Sequence, residues 1–260
     1  MKLLQVMIVG LVMVLTAIPV WAESTFVKPT PDEALNMLQQ GNRRFFTGQS
    51  LHPRQDQARL ALAQREDQAN YAFATVLACS DSRVPVELIF DVGVMDIFTV
   101  KVAGNVVDID EAGSIEYGLV HVETPVLVVL GHTQCGAVTA VTHELQGHGH
   151  PLERNIVPLV DNIIPAVRRA MTMHPELSGD QVIPAGIEEN VWQGIRDLFM
   201  ISPSVREIAA KGRALVMGAI YDVGSGEVRW LPRDKVMQIL SEVEQDPARA
   251  LDQAGKGDTK

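Results

Sequence analysis

Pro125-Val126-Leu127-Val128-Val129-Leu130, stopped by Gly131, is the stretch that decides the fold. It is rich in β-branched residues, carries no charge and is too short for an ordinary helix, so it reads as a strand buried on both faces. Burial on both faces belongs to parallel sheets, whose crossover helices cover the two sides. Working outward, residues 73–78, 97–102 and 214–221 repeat the pattern. Gly224-Ser225-Gly226 then turns the last run into residues 227–230, an antiparallel edge strand. Between the strands lie helical stretches at 31–47 (opened by Pro31-Asp32-Glu33), 112–122, from Cys135 to about Leu145, 155–173 and 187–200. Residues 49–70 read as polar surface chain with a short helix, and the tail from Asp246 onward turns polar. The fold class is therefore α/β: four parallel strands plus an antiparallel edge strand in a central sheet covered by helices.

The 260 residues are 47% hydrophobic and 21% charged, enough for one large core and far from the composition of a disordered chain. No repeat or linker divides residues 31–245, so one domain is expected. Acidic residues outnumber basic ones 32 to 22, a net charge of -10, and aromatics make up only 5%. Nucleic-acid binding needs clustered cations or aromatic platforms, so that class is excluded and a small-molecule substrate is favoured.

At the N-terminus, Lys2 precedes an apolar run from Leu3 to Val20, followed by Val20-Trp21-Ala22. This is the pattern of a secretory signal cleaved after Ala22, which leaves residues 23–260 as the working domain, in the periplasm or secreted, with no membrane attachment. The rival is an uncleaved anchor, since about 18–20 apolar residues can span a bilayer. Export also makes a Cys79–Cys135 disulfide the first suspicion for a chain with two cysteines.

The sequence around those cysteines favours a metal instead. The first strand runs into Cys79-Ser80-Asp81-Ser82-Arg83, and the third into Gly131-His132-Thr133-Gln134-Cys135-Gly136. In open α/β sheets, functional groups gather beyond the carboxyl ends of strands, so both segments reach one edge. Cys79, His132 and Cys135 are a three-ligand zinc set by residue type, leaving a fourth position for water or substrate. Arg83 can form a charge-assisted pair with Asp81, holding it ionised beside that position. The same carboxylate can alternatively swing onto the metal and shut the site.

Those two segments resemble the signature of the β-class carbonic anhydrases. Gly41-Asn42-Arg43-Arg44-Phe45, the stretch from Pro85 to Phe90, Val102-Ala103-Gly104-Asn105-Val106-Val107 and Ser114-Ile115-Glu116-Tyr117 are similar to that family too, so the resemblance spans about residues 31–232. It implies reversible hydration of carbon dioxide to bicarbonate and a proton by a zinc-bound hydroxide, with one Zn2+ per subunit on Cys79, His132 and Cys135. It further implies a gating pair in Asp81 and Arg83, and a homodimer or tetramer of dimers. The family's apolar pocket is built across the dimer interface, and Phe98 and Tyr117 match positions that line it. Two thiolates offset the formal charge of zinc, which places the pKa of its water between about 7 and about 9 and makes activity rise with pH.

The chain departs from the family in places. Lys101 stands where many relatives have Arg, and Val76 where some have Trp, which disfavours the second, inhibitory bicarbonate site and favours the open form of the zinc centre. Asn70, with Gln68 nearby, stands where plant-like members have Gln. Gly104 and Gly136 are read as pocket glycines, against the plainer reading of chain flexibility. His148 and His150 read as a solvated loop, His121 and His143 as helix residues without a role, and Met171, Met173, Met200 and Met217 (with Met7 and Met13) as fillers of apolar stretches. Glu188-Glu189 reads as a helix's first turn. Rival functions are carbon disulfide or carbonyl sulfide hydrolysis on the same zinc, a non-catalytic zinc-binding domain, and thiol exchange through a disulfide.

Overall fold

The computed structural model describes residues 27–251. The apolar run of the expected signal, with Met7 and Met13, lies outside them, as does the tail beyond Leu251. Among the described residues no helix is long and apolar enough to cross a membrane.

Five strands, β1 (Ala74–Cys79), β2 (Ile97–Val102), β3 (Val126–His132), β4 (Leu215–Tyr221) and β5 (Val228–Trp230), form one sheet in the order β2-β1-β3-β4-β5. β2, β1, β3 and β4 are parallel neighbours, and β5 joins β4 antiparallel. Every residue of β1, β3 and β4 is buried, as their apolar runs require. Successive side chains point to opposite faces of a strand. Leu77, Leu127 and Val129 accordingly face one core, with Val167, Val191 and Leu198, while Val76, Val128 and Leu130 face another, with Leu38 and Phe90.

The helices are α1 (Pro31–Phe46), α2 (Gln57–Ala63), α3 (Val86–Ile89), α4 (Ile109–Glu116), α5 (Gly136–Leu145), α6 (Val157–Asp161), α7 (Ile164–Met173), α8 (Ile183–Ile201), α9 (Pro203–Ala210) and α10 (Arg233–Gln245). Thr30 and Glu33 close a capping box around the start of α1. Three expectations need correction. The stretch 155–173 is two helices, with Pro165 in the first turn of the second. α8 begins at Ile183, with Pro184 in its first turn, so Glu188 and Glu189 lie inside the helix and are ion-paired, to Arg229 and to Arg169 and Lys235. Met173 is 59% exposed and fills no core, whereas Met217 is buried.

The Gly41-Asn42-Arg43-Arg44 motif has a structural meaning. A Cβ on Gly41 would stand 1.8 Å from the Phe90 carbonyl oxygen, so only glycine lets α1 seat there. Arg44 Nε donates to Asp91 Oδ2 at 2.5 Å, and the same buried carboxylate accepts from the backbone of Leu51 and His52. Asn42 Nδ2 donates to Ile89 O (3.2 Å) and Gly226 O (2.9 Å), while its Oδ1 accepts from Val228 N (2.9 Å). Asn42→Ala strands these buried backbone groups and is expected to cost about 3 kcal/mol in urea denaturation. A loss under about 1 kcal/mol would mean that water replaces the amide.

Asp197 on α8 supplies a pH-dependent element. Burial, the dominant cause, raises its carboxyl to about 6, against a hydrogen bond from Gln193 and the nearby Arg169 and Arg196. The unfolded chain releases this proton near 3.8 and the folded one near 6, so stability falls as pH rises between those values, and the deficit is complete above them. Asn keeps the acceptor for Gln193 and carries no charge. Asp197→Asn is therefore expected to gain about 2–3 kcal/mol at pH 7.5 and nothing near pH 4. A gain of equal size at both pH values would refute the electrostatic account.

Candidate metal centre

From β1 the chain reaches β2 on one side and β3 on the other, so the crevice between the ends of β1 and β3 is where connections diverge. In register, Ala78 of β1 pairs with Leu130 of β3, which sets Cys79 one step before the level of His132. Cys135 follows one turn later as the residue capping α5. The three ligand atoms lie within 4.8 Å of one another and all three residues are buried, with His132 0% exposed. Among the described residues no other group of three His, Cys, Asp or Glu side chains is placed to share an ion. The cysteines are free thiols, which removes the disulfide reading, and His148 and His150 are exposed, as a solvated loop requires.

The donor set fits a zinc ion. His132 Nδ1 lies 2.9 Å from the Thr133 carbonyl oxygen, which can only accept, so Nδ1 carries the proton and Nε2 the lone pair. That Nε2 is buried and has no hydrogen-bond partner, an orphan of the kind a metal satisfies. Without a metal the thiols share a proton. Cys79 is pulled down, chiefly by the hydrogen bond from Cys135, with the backbone N–H groups of Asp81 and Gly104 adding to it. Cys135 is pushed up by the same bond and by burial. Cys79 is thus the thiol of the pair readier to give up its proton to an arriving cation.

Asp81 stands beside this set, held by Arg83 at both oxygens: Nε to Oδ1 at 3.0 Å and Nη2 to Oδ2 at 2.7 Å. The backbone N–H of Arg83 also donates to Oδ1 at 2.9 Å. These bonds, the Arg83 side chain first, hold the Asp81 carboxyl far below the usual carboxylate range. Arg83 in turn is anchored to Gln134, at its carbonyl oxygen (3.1 Å) and its Oε1 (3.3 Å). Gln134 adopts φ +58, a left-handed conformation uncommon outside glycine, and sequence reading had not singled it out.

The remaining expected residues divide. Gly104 lies in the site, its N–H 3.3 Å from Cys79 Sγ. Gly136 opens α5 and is exposed, and a Cβ there would meet nothing within 4 Å. Phe98 and Tyr117 pack on each other, ring centroids 5.9 Å apart, and Tyr117 stacks further on His121. Phe98 pairs with Thr75, four residues before Cys79 along β1, a distance of about 13 Å at the usual strand rise. Within one chain these rings therefore stand apart from the metal ligands. Lys101 Nζ is engaged by the Val84 carbonyl oxygen (2.8 Å) and Val76 is wholly buried. Asn70 is exposed and bonds to Glu66. His143, read from sequence as having no role, pairs with Asp180 at 2.7 Å.

Comparison with known proteins agrees with this chemistry. Residues 74–228 match the family model described as carbonic anhydrase. The chain is 33% identical over 198 residues to a carbonic anhydrase of Mycolicibacterium smegmatis, covering 76% of this chain and 92% of that protein. It is 32% identical over 216 residues to carbonic anhydrase 2 of Mycobacterium tuberculosis, covering 82% of this chain and 98% of that one. Among solved structures, the β-carbonic anhydrase CafA of Aspergillus fumigatus superposes with a TM-score of 0.61 at 25% identity, over 83% of this chain and 99% of its own.

Proposed function

The chain belongs to the carbonic anhydrase family, in its β class, and from that membership we propose how its own residues divide the work of the reaction. The protein catalyses the zinc-dependent, reversible hydration of carbon dioxide to bicarbonate and a proton. Cys79, His132 and Cys135 hold the ion. Zinc bound there supplies the Lewis acidity that ionises water near neutral pH. Asp81, kept charged and oriented by Arg83, accepts a hydrogen bond from the attacking water and so fixes the direction of its lone pair. With both its oxygens engaged by Arg83, Asp81 would be kept from joining Cys79, His132 and Cys135 in holding the ion, which supports the open form. The observation that carries this division is the unpartnered, buried His132 Nε2 among two thiols, with a carboxylate pinned by Arg83 beside them. A purely structural zinc site has no use for that pair.

Phe98 and Tyr117 serve a second subunit's pocket, in a homodimer or tetramer of dimers. Their distance from the metal ligands of their own chain supports this, as does the position of β2 at the sheet edge. Tyr117 and Val120 are 51% and 41% exposed there, apolar area that a partner would cover. The protein acts outside the cytoplasm after loss of residues 1–22, a reading supported by Lys2 and the apolar run behind it.

The test is stopped-flow carbon dioxide hydration by the zinc-loaded chain starting at Glu23, scanned from about pH 6.5 to about pH 9 beside carbon disulfide turnover. Hydration that rises with pH, without carbon disulfide hydrolysis, is expected. Turnover of carbon disulfide alone would transfer the site to that substrate.

A further inference from the structure

Helix α8 carries none of the residues assigned to the reaction, yet it reaches the metal centre. Asn190, 2% exposed, donates its Nδ2 to the Gly104 carbonyl oxygen at 2.7 Å. Gly104's own N–H is the group that donates to Cys79 Sγ at 3.3 Å. Gly104 adopts φ +75, where a Cβ would come within 2.7 Å of Ile163 Cδ1, so the position requires glycine. Glycine has the freest backbone of any residue, and nothing intrinsic to it keeps its N–H aimed at the sulphur. An outside tether on the neighbouring carbonyl supplies that constraint.

The tether is itself held rigidly. Glu189, the residue before Asn190, is clamped between Arg169 of α7 (3.1 Å) and Lys235 of α10 (3.3 Å). Lys235 also lies over the Trp192 ring, 4.6 Å from its centroid. One turn further on, α8 packs on the same loop at Gly194, where a Cβ would stand in ordinary contact, 3.4 Å from the Asn105 carbonyl oxygen. These contacts set the rotation and register of α8, and with them the reach of the Asn190 amide.

We infer that Asn190 is a positioning residue of the zinc site, holding Gly104 so that its N–H stays on the Cys79 sulphur. This rests on the assignment of Cys79 as a zinc ligand. The hydrogen bond draws electron density from the thiolate and fixes its direction. Loss of such a supporting partner commonly weakens metal binding by about tenfold or more.

Asn190→Leu, similar in size and without a donor, tests this in the full chain, with Asn190→Ala repeating the test should Leu not fit. Two readouts apply: the rate at which a chromophoric chelator removes zinc, and the thiolate-to-cobalt charge-transfer band of protein loaded with Co2+. Zinc release about tenfold faster is expected, together with a shift of the band to longer wavelength as the sulphur becomes more electron-rich. Arg196→Ala, which removes the ion pair to Glu242 from the same helix, is expected to change neither. An Asn190 variant that melts earlier but keeps the wild-type band and release rate would overturn the inference, leaving Asn190 a structural residue. A wild-type chain that shows no thiolate band with cobalt would instead overturn the assignment of Cys79.

Discussion

Cys135→Ala is expected to abolish zinc retention and to reduce carbon dioxide hydration by at least about a thousandfold, a small part of the acceleration enzymes typically achieve. Cys135 is 1% exposed and caps α5, where its sulphur completes the set with Cys79 and His132. Removing it leaves two protein ligands, below the three that a catalytic zinc site keeps. The fold itself should persist, because only one sulphur atom leaves a core that spans both faces of the sheet. Zinc per chain by atomic emission, hydration by stopped flow and far-UV circular dichroism on one sample separate these effects. A folded variant that keeps one zinc and hydrates carbon dioxide would place the catalytic metal elsewhere. Hydration lost with zinc fully retained would make Cys135 something other than a ligand.

Much of this site is local in sequence, which is why it could be read there. β2 was expected at residues 97–102 and spans those residues, and the other strands shift by one or two positions, because a run buried on both faces marks itself by composition. The metal loops follow directly from β1 and β3, so the strand reading carried Cys79, His132 and Cys135 to one edge. The helices α9 and α10 were not expected, although Val236, Ile239, Leu240 and Val243 carry the i, i+3, i+4, i+7 pattern and are all buried. That signal was available. Other features have no local signal. The bonds of Asn42 to Gly226 and Val228 join residues more than 180 apart, and that of Asn190 to Gly104 joins residues 86 apart. A buried asparagine in a helix looks in sequence like any polar residue on a solvated face, and only the packing of one element on another shows what it holds. The reading of Glu188-Glu189 as a first turn failed for the same reason, since their partners come from β5, α7 and α10.

Asp81→Asn is expected to lower kcat by about a hundredfold with zinc retained, since the amide keeps the shape but loses the charged acceptor. Arg83→Ala should cost a larger factor for a different reason. Arg83 is what holds the Asp81 carboxyl so far below the usual range, and without it that value returns upward toward the ordinary one. An ordinary carboxyl is still ionised at pH 8, so activity lost there cannot come from protonation of Asp81. What Arg83→Ala removes is orientation: the fork that binds Oδ1 and Oδ2 together and is itself fixed by Gln134. Arg83→Lys keeps a charge without the fork and is expected to recover only part of the loss. The double variant Asp81→Asn with Arg83→Ala separates two roles for the pair. If Arg83 only aims Asp81, the double variant hydrates carbon dioxide at the rate of Asp81→Asn alone. If Arg83 also restrains Asp81 from turning onto the metal, the double variant is faster than Arg83→Ala, because the group that shuts the site is gone. Wild-type kcat in both single variants would remove the pair from the reaction and leave it a loop clasp. With Asp81 bound at both oxygens and standing outside the three-residue ligand set, restraint is the outcome the geometry favours.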